Sequence, residues 1–203
     1  IEDAHRSGAD VREMAFAHAR DAGSMLSLHR TPGHVLEACW FIHHAADALD
    51  LWGRSPLFSR DTLADVAAHA CQIGWDAQEG GLFRYTHHAG GPPEGMRTDD
   101  RYEQMVVDTW DTKLWWVHAE ALYTTLMLGI KAGRPDLLAW HDRLHRYTLR
   151  TFPAGAGQEW IQTRRRDGTP LEATVALPVK DPFHVARALL LLTELLNKEL
   201  ITS

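Results

Sequence analysis

Two short segments place a histidine at the head of an apolar run in the same way. They read PGHVLEA, residues 32–38, and PFHVARA, residues 182–188. In each, proline, one further residue, histidine and valine stand in that order, and a charged residue follows the histidine by three positions. Proline suits the first turn of a helix, where its missing N–H would have no partner anyway. Both segments therefore predict helix starts, with His34 and His184 close to the N-termini.

A histidine at a helix N-terminus is placed for proton transfer. The positive end of the helix dipole disfavours imidazolium, so we expect neutral rings that can accept a proton. Spacing of three residues puts Glu37 on the face of His34, and Arg187 on the face of His184. The alternative is two ordinary helix starts whose histidines bond to nearby backbone, and the spacing alone does not separate the two interpretations.

A third segment, residues 111–128, combines indoles, a carboxylate and an amine on one side of a predicted helix. The front face holds Lys113, Trp116, Glu120, Tyr123 and Met127, and the back face holds Leu114, Val117, Ala121 and Leu128. Such a front suits a sugar, because a sugar ring packs on an indole while carboxylates accept hydrogen bonds from hydroxyls. Glu159 and Trp160 repeat the pairing in a loop. An amphipathic helix with its tryptophans in the core is the alternative.

Composition limits the classes of partner. The 203 residues carry a formal net charge of -6, which gives no general attraction to nucleic acids or anionic membranes. No apolar run approaches the ~20 residues that span a bilayer, and the first residues lack the apolar centre of a signal peptide. Two cysteines, Cys39 and Cys71, lie in helical-looking apolar segments, so we expect buried thiols in a reducing compartment, the cytoplasm.

Four common motifs for metal binding, phosphate binding and acyl transfer do not occur in the sequence. There is no HExxH, no CxxC, no glycine-rich phosphate loop after a strand, and no GxSxG elbow. We therefore expect neither a metal site nor a cofactor.

Helical periodicity dominates the chain and predicts an all-α fold class. We predict helices over residues 9–22, 34–52, 61–74, 111–132, 135–152 and 182–200. Two segments, GGLFRYT (80–86) and EWIQTRRRDGTPL (159–171), alternate in the β manner around turn residues, so we expect short hairpins within long connections. Paired helices with long alternate connections are typical of solenoids and helical toroids.

Four motifs together resemble one family. PGHVLEACWF, KLWWVHAEAL, QEW and FHVARAL, in this order over residues 30–192, are similar to the C-terminal half of the N-acylglucosamine 2-epimerase family. The resemblance implies an (α/α)6 barrel of twelve helices, of which this chain holds about half. We thus expect residues 1–203 to form a single α/α-barrel domain, the C-terminal part of a longer chain, in keeping with a first residue other than methionine.

The resemblance also implies a reaction and its residues. Family members interconvert N-acylglucosamine and N-acylmannosamine by inversion at C2 through an enediolate, with no redox cofactor. Carried over by motif, His34 and His184 exchange the proton and Glu37 orients His34 or holds a hydroxyl. Trp116 and Glu120 line the pocket, with Arg187, Trp115, Glu159 and Trp160 as further neighbours. Val117 and Ala186 stand where proline is frequent, and Asp181 where glycine is.

Other functions remain open at this stage. Within the family, the same groups serve aldose-ketose isomerisation of mannose-type sugars and 2-epimerisation of cellobiose. A glycoside hydrolase would instead use paired carboxylates, Glu37 with Glu120 or Glu159. A half barrel would expose the apolar sides of its terminal helices, which predicts a homodimer, pairing with the missing N-terminal half, or a non-catalytic sugar-binding fragment.

Overall fold

The computed structural model describes residues 2–14, 21–171 and 183–202, and helices dominate it. The helices are α1 (Glu2–His5), α2 (Met25–Leu28), α3 (Pro32–Leu49), α4 (Arg60–Gly74), α5 (Arg101–Thr109), α6 (Trp115–Lys131), α7 (Pro135–Thr151) and α8 (His184–Thr202). The strands are β1 (Arg6–Ser7), β2 (Asp10–Val11), β3 (His29–Arg30), β4 (Thr86–His87), β5 (Lys113–Leu114) and β6 (Thr163–Arg164). Within these residues, every helix is too short or too polar to cross a membrane.

Helices α3 and α6 run parallel, with their N-termini side by side. A Cβ built on Gly33, the second residue of α3, would lie 2.8 Å from the indole of Trp116, the second residue of α6. Further along both helices, His44 Nε2 lies 2.8 Å from the hydroxyl of Tyr123. Only glycine permits this approach, so Gly33 brings the two helix starts together.

Helix α8 also runs parallel to α6. His184, the first residue of α8, contacts Glu120 near the start of α6, and Lys131 at the end of α6 pairs with Glu199 near the end of α8 at 3.2 Å. Three parallel helices therefore present their N-terminal ends on one face of the molecule.

Helices α4 and α7 are the antiparallel partners of α3 and α6. Gly74 at the end of α4 lies against Pro32 at the start of α3, and a Cβ there would come within 2.9 Å of the proline ring. Gly129 near the end of α6 meets Leu138 near the start of α7 in the same way. The parallel helices α3 and α6, each backed by an antiparallel one, give the layered arrangement expected of part of an α/α barrel.

Two small sheets, each made of two strands of two residues, hold the starts of α3 and α6 in place. Strand β4 pairs antiparallel with β3, which leads into α3, and β6 pairs antiparallel with β5, which leads into α6. The two segments predicted to be extended, 80–86 and 159–171, therefore contribute to strands. These strands, β4 and β6, pair with β3 and β5, which are distant in sequence. The connections thus position both helix starts.

The main core lies between α3, α4, α6, α7 and α8. Helix α6 is buried on every side from residue 117 to residue 129, because other helices surround it. Cys39 and Cys71 lie in this core as free thiols, as predicted, and burial raises the pKa of Cys39 to about 12.

Three sequence predictions about helices are corrected. The helix predicted over residues 9–22 is wrong for residues 9–14, because Gly8, with φ +61°, turns the chain between β1 and β2. Residues 15–20 of that prediction, and the first residue of the helix predicted from 182, lie outside the described residues; Phe183 is described but precedes α8, which begins at His184. Helix α5 was missed although Asp100 caps it through the N–H of Tyr102 at 2.8 Å and Glu103 stands three residues on, a capping-box pattern.

The helix predicted from residue 111 begins only at Trp115, because residues 113–114 form β5. Lys113 therefore does not belong to the front of the helix. Its side chain is fully buried and its Nζ lies 3.0 Å from Asp76 Oδ2. Burial lowers the pKa of Lys113 to about 8, while the Asp76 carboxylate opposes this effect.

Candidate active site

His34 projects from the first turn of α3 and has a carboxylate partner from the segment before the helix. Its Nδ1 lies 3.0 Å from Glu13 Oε1, and the other oxygen of Glu13 accepts a hydrogen bond from the Thr31 hydroxyl. The hydrogen bond with Glu13 raises the pKa of His34, and burial opposes it. The expectation that the helix N-terminus leaves this ring preferentially neutral is thus wrong in direction, since a hydrogen-bonded carboxylate outweighs the dipole.

His184 begins α8 and is paired with a carboxylate on the neighbouring helix. Its Nδ1 lies 2.6 Å from Glu120 Oε1, and the Glu120 side chain is only 1% exposed. The second oxygen of Glu120 accepts a hydrogen bond from Trp40 Nε1 at 2.6 Å. An imidazole held at Nδ1 by a buried carboxylate directs its Nε2 away from that partner.

Arg187 neutralises the carboxylates around His184. Its Nη2 donates to Glu120 and lies 3.8 Å from Glu37 Oε1. Its guanidinium packs against the ring of Phe183, with the centroid at 3.7 Å, and over Trp40 at 4.5 Å. Arg187 Nη1 is buried, with no hydrogen-bond partner within the described part of the chain. This nitrogen retains its donor capacity.

Glu37 lies on the His184 side of the site. Its Oε1 is 3.9 Å from His184 Nδ1, whereas the carboxylate hydrogen-bonded to His34 is that of Glu13. The predicted local pairing of Glu37 with His34 is therefore replaced by contacts across the helix starts. Burial raises the pKa of Glu37, and the negative charge of Glu120 adds to this increase.

The indole of Trp116 contacts both histidines. It stacks with His34 at a centroid distance of 5.0 Å and lies 5.5 Å from His184 at an angle of 37°. The two imidazoles thus belong to one cluster at the gathered N-termini of α3, α6 and α8. The cluster therefore combines one indole with two imidazoles, side chains that can gain or lose a proton near neutral pH.

Trp115, Glu159 and Trp160 line a different pocket. This pocket, of about 330 Å³, is also lined by Gln158, Gln162, Val185, Ala186 and Leu189, and neither histidine contributes to it. Consecutive residues on a helix point about 100° apart, so Trp115 and Trp116 face different directions. Six of the nine predicted site residues therefore come together in the cluster and three do not.

Three of the clustered groups have the spacing of metal ligands. Ligand atoms of Glu37, Glu120 and His184 lie within 4.8 Å of one another. The guanidinium of Arg187 already pairs with both carboxylates, so a divalent cation would have to displace it. The chemistry of this donor set thus favours a salt-bridged acid-base cluster.

Sequence reasoning missed Glu13, Thr31 and Trp40. Trp40 follows Glu37 by three residues, and this helical spacing was available as a signal. Glu13 precedes His34 by 21 residues and lay in a segment predicted to be helical. No local pattern connects it to the site.

Fold and site together define a helical toroid segment with a paired histidine cluster at its helix N-termini. The sequence profile of the N-acylglucosamine 2-epimerase family matches residues 13–188. The chain belongs to this family.

Among curated proteins, the bovine (Bos taurus) N-acylglucosamine 2-epimerase is 30% identical over 198 residues, 97% of this chain and 43% of the bovine protein. The human (Homo sapiens) enzyme is 29% identical over 198 residues, 97% of this chain and 42% of its own length. The chain thus spans less than half the length of these relatives.

Solved structures share the fold. Cellobiose 2-epimerase from Bacillus thermoamylovorans superposes with a TM-score of 0.61 at 22% identity, over 82% of this chain and 37% of that protein. A D-mannose isomerase gives a TM-score of 0.62 at 14% identity, over 81% of this chain and 37% of its own. At these identities the likeness concerns the fold.

Proposed function

We propose that the protein acts as a carbohydrate epimerase that inverts C2 of an N-acylated aminosugar by exchange of a proton between two histidines. The observation that carries the proposal is the contact of both His34 and His184 with the indole of Trp116. Two bases on one sugar platform satisfy the requirement of inversion, in which a proton leaves one face of C2 and another arrives on the opposite face.

The proposed reaction begins with the open-chain sugar, whose C1 carbonyl acidifies the C2 proton. One imidazole removes that proton, the C2–H electron pair forms a C1–C2 double bond, and the carbonyl π pair moves to O1, which gives an enolate that still carries the acylamino nitrogen on C2. The other imidazole, protonated beforehand, delivers its proton to the opposite face of C2. The raised pKa of His34 favours its protonated form, so His34 suits the donor role in one direction and the acceptor role in the other.

Base strength alone does not achieve this step, because a proton beside a carbonyl is far less acidic than imidazolium. Donors must stabilise the developing oxyanion in a sheltered site. Arg187 supplies a buried Nη1 with no hydrogen-bond partner in the described residues, and we assign it to the enolate oxygen. We assign Glu37 to a sugar hydroxyl, from which its carboxylate accepts a hydrogen bond.

Glu13 and Glu120 are proposed as positioning residues. Each holds the Nδ1 of one histidine, which leaves Nε2 to face the substrate. Trp115, Glu159 and Trp160 border this arrangement in the neighbouring pocket, where they would contact the part of a sugar that extends past α8.

Related activities share the same groups. Return of the proton to C1 in place of C2 would give aldose-ketose isomerisation of a mannose-type sugar, and a disaccharide substrate would give cellobiose 2-epimerisation.

The rival class, a glycoside hydrolase, fits less well. Ligand oxygens of Glu37 and Glu120 lie within 4.8 Å, which is too close for the ~6.5–9.5 Å of inverting hydrolases but near the ~5–5.5 Å of retaining ones, so the distance argues against inversion alone. Glu120 is also fully engaged by hydrogen bonds.

We further propose that the protein is cytoplasmic and corresponds to the C-terminal half of the family fold. Its proposed partner is a small sugar, and we expect no nucleic acid or membrane partner. Two free buried cysteines support a reducing compartment. Exposed apolar side chains on α3 and α8, including Phe41, Leu190 and Leu196, support pairing with a second copy or with the other half of the barrel. Solution mass would test this: a stable monomer contradicts it.

Solvent exchange tests the reaction. N-acetylglucosamine, N-acetylmannosamine, mannose and cellobiose are incubated separately with the protein in deuterated water, and the C2 proton is followed by NMR. We expect deuterium at C2 together with the epimer for an N-acylated sugar. The ketose in place of the epimer would identify the isomerase reaction, and exchange in none of the sugars would contradict both.

Single histidine variants test the two-base assignment. His34→Asn and His184→Asn should each abolish interconversion, yet the remaining base should still exchange the C2 proton of one epimer. His145→Asn is the matched control, since His145 is an exposed histidine on α7. Retention of full epimerisation by either site variant would refute the assignment.

A further inference from the structure

A second pocket, away from the histidine cluster, is lined by a buried arginine. Arg164 in β6 is 7% exposed, and its Nε is buried with no hydrogen-bond partner in the described residues. No carboxylate of the described chain forms an ion pair with it. Burial lowers the pKa of Arg164, as expected for a cation transferred out of water without compensation.

Arg30, the other buried arginine of the described residues, differs from Arg164 in this respect, because it pairs with Asp10 at 2.6 Å. The partly exposed Arg166, two residues on from Arg164, pairs with Asp76 at 2.8 Å. An unpaired buried charge costs several kcal/mol, so proteins rarely retain one without a partner. The orphaned guanidinium therefore points to an anion from outside the chain.

The space beside Arg164 is suited to such an anion. The pocket holds about 380 Å³ and is lined by Glu79, Tyr147, Arg150, Thr151, Arg164, Asp167 and Gly168. Arg150 adds a second positive charge, and Thr151 adds a hydroxyl donor. Glu79 and Asp167 oppose a negative ligand by their charge, and both are exposed at the pocket, where water screens them. Asp167 Oδ1 also accepts hydrogen bonds from the N–H and the hydroxyl of Thr169.

We propose that this pocket binds a phosphate group, either as the free ion or as a phosphate ester, through Arg164 and Arg150. A planar guanidinium matches two phosphate oxygens, and the buried location strengthens the charged hydrogen bonds. The pocket has room for roughly a dozen waters at ~30 Å³ each, so it also accommodates an organic group attached to the phosphate.

This pocket shares no lining residue with the histidine cluster. The pocket is connected to the histidine cluster through the chain. Arg164 pairs across the sheet with Lys113, and β5 continues directly into α6 and Trp116. The proposal does not depend on epimerase activity, and binding alone tests it.

The test measures binding of inorganic phosphate and of glucose 6-phosphate by calorimetry, with chloride at matched ionic strength as the reference. We expect both phosphates to bind and to raise the melting temperature, and chloride to do neither. Tighter binding of the ester would identify an ester as the ligand, and equal affinities would identify the free ion. Absence of phosphate binding to the unmodified protein would overturn the proposal.

Three variants assign the binding to this pocket. Arg164→Met should weaken phosphate binding about 10- to 100-fold and should keep or raise the melting temperature without phosphate, because it removes an unpaired buried cation. Arg150→Gln, at the exposed rim, should weaken binding about two- to fivefold, and Glu79→Gln should tighten it by a similar factor.

The matched control is Arg146→Gln, because Arg146 is exposed one turn earlier on α7 and does not line the pocket. It should leave phosphate affinity unchanged. If Arg164→Met fails to fold, the opposite shifts of Arg150→Gln and Glu79→Gln still decide the matter. If Arg150→Gln and Arg146→Gln weakened phosphate binding equally, the effect would come from net charge alone, and the proposed site would be refuted.

Discussion

The two histidines have carboxylate partners in very different surroundings. Glu13, the partner of His34, comes from the segment before α3, and its side chain is 32% exposed. Glu120, the partner of His184, lies on the most buried helix and is 1% exposed. Glu13 also holds Thr31, whereas Glu120 also holds Trp40 and Arg187.

The two carboxylates therefore have different roles: one mainly shifts the pKa of its histidine, and the other also stabilises the packing of the helices. A half-exposed carboxylate shifts the pKa of its histidine but adds little to folding, since water screens the pair. A buried carboxylate that joins three donors from α3 and α8 is part of the packing between helices, so its loss affects stability and geometry together. We therefore expect the two partners to respond differently to the same substitution.

Glu120→Gln should have the largest effect. It removes the buried charge, so that Glu37 is the remaining ion-pair partner of Arg187 among the described residues, and it replaces one acceptor oxygen by an NH2 group, so that either Trp40 or the His184–Arg187 pair loses its acceptor. We expect a loss of about 3 kcal/mol in the free energy of unfolding, at the low end for a broken buried pair because Glu37 remains. Epimerase activity should fall about 100-fold or more. Denaturant unfolding and C2 exchange measure the two effects.

The control for this substitution is Glu199→Gln. Glu199 pairs with Lys131 at the surface end of the same two helices, where both side chains are well exposed. We expect a change of at most about 0.5 kcal/mol. Equal stabilities of the two variants would show that Glu120 is not structural.

Gly33→Ala should have an intermediate effect at the junction between the two histidines. The added Cβ would lie 2.7 Å from the side chain of Val117 and 2.8 Å from the indole of Trp116, so one of them must move. We expect a loss of about 1–3 kcal/mol, as for overpacked cores, and altered tryptophan fluorescence. Gly23→Ala is the control, because a Cβ there meets nothing within 4 Å. A neutral Gly33→Ala would contradict the tight contact.

Glu13→Gln should have the smallest effect on stability and the clearest effect on pH dependence. The pKa of His34 is raised in the folded protein, so its stabilisation is fully present below the unfolded value of 6.5 and is lost as the pH rises through the folded value. The variant should therefore lose more stability at about pH 5.5 than at about pH 9, by no more than about 1 kcal/mol.

For the His34 resonance, NMR titration should show a lower pKa in Glu13→Gln than in the unmodified protein. Glu94→Gln provides the same change of charge at an exposed loop position and should leave that titration unchanged. An unshifted His34 in the Glu13 variant would show that the hydrogen bond does not tune the ring.

The sequence predicted the parts of the site that depend on local chemistry. Proline and the apolar periodicity located the starts of α3 and α8, and hence His34 and His184. The resemblance to the family supplied the arrangement that brings these starts together, which periodicity alone does not contain. The buried position of Glu120 followed from neither, because a carboxylate on a helix face is usually solvated.

The failures come from contacts between residues distant in sequence. Glu13 reaches His34 only because the hairpin at Gly8 redirects the chain, and no helical pattern signals that turn. Lys113 was assigned to a sugar-facing helix but pairs with Asp76, 37 residues away. The assignment of Trp115 to the same site as Trp116 ignored the angle between consecutive helix residues, a signal that the sequence did contain.

The most direct test of the central claim is a crystal structure of the protein with an acyclic sugar alcohol, which mimics the open-chain substrate. We predict that the ligand lies on Trp116 with its second carbon between His34 Nε2 and His184 Nε2, and with a hydroxyl within hydrogen-bond distance of Arg187 Nη1. A ligand that contacts only one histidine, or that occupies the Trp115 pocket without reaching either, would contradict the account.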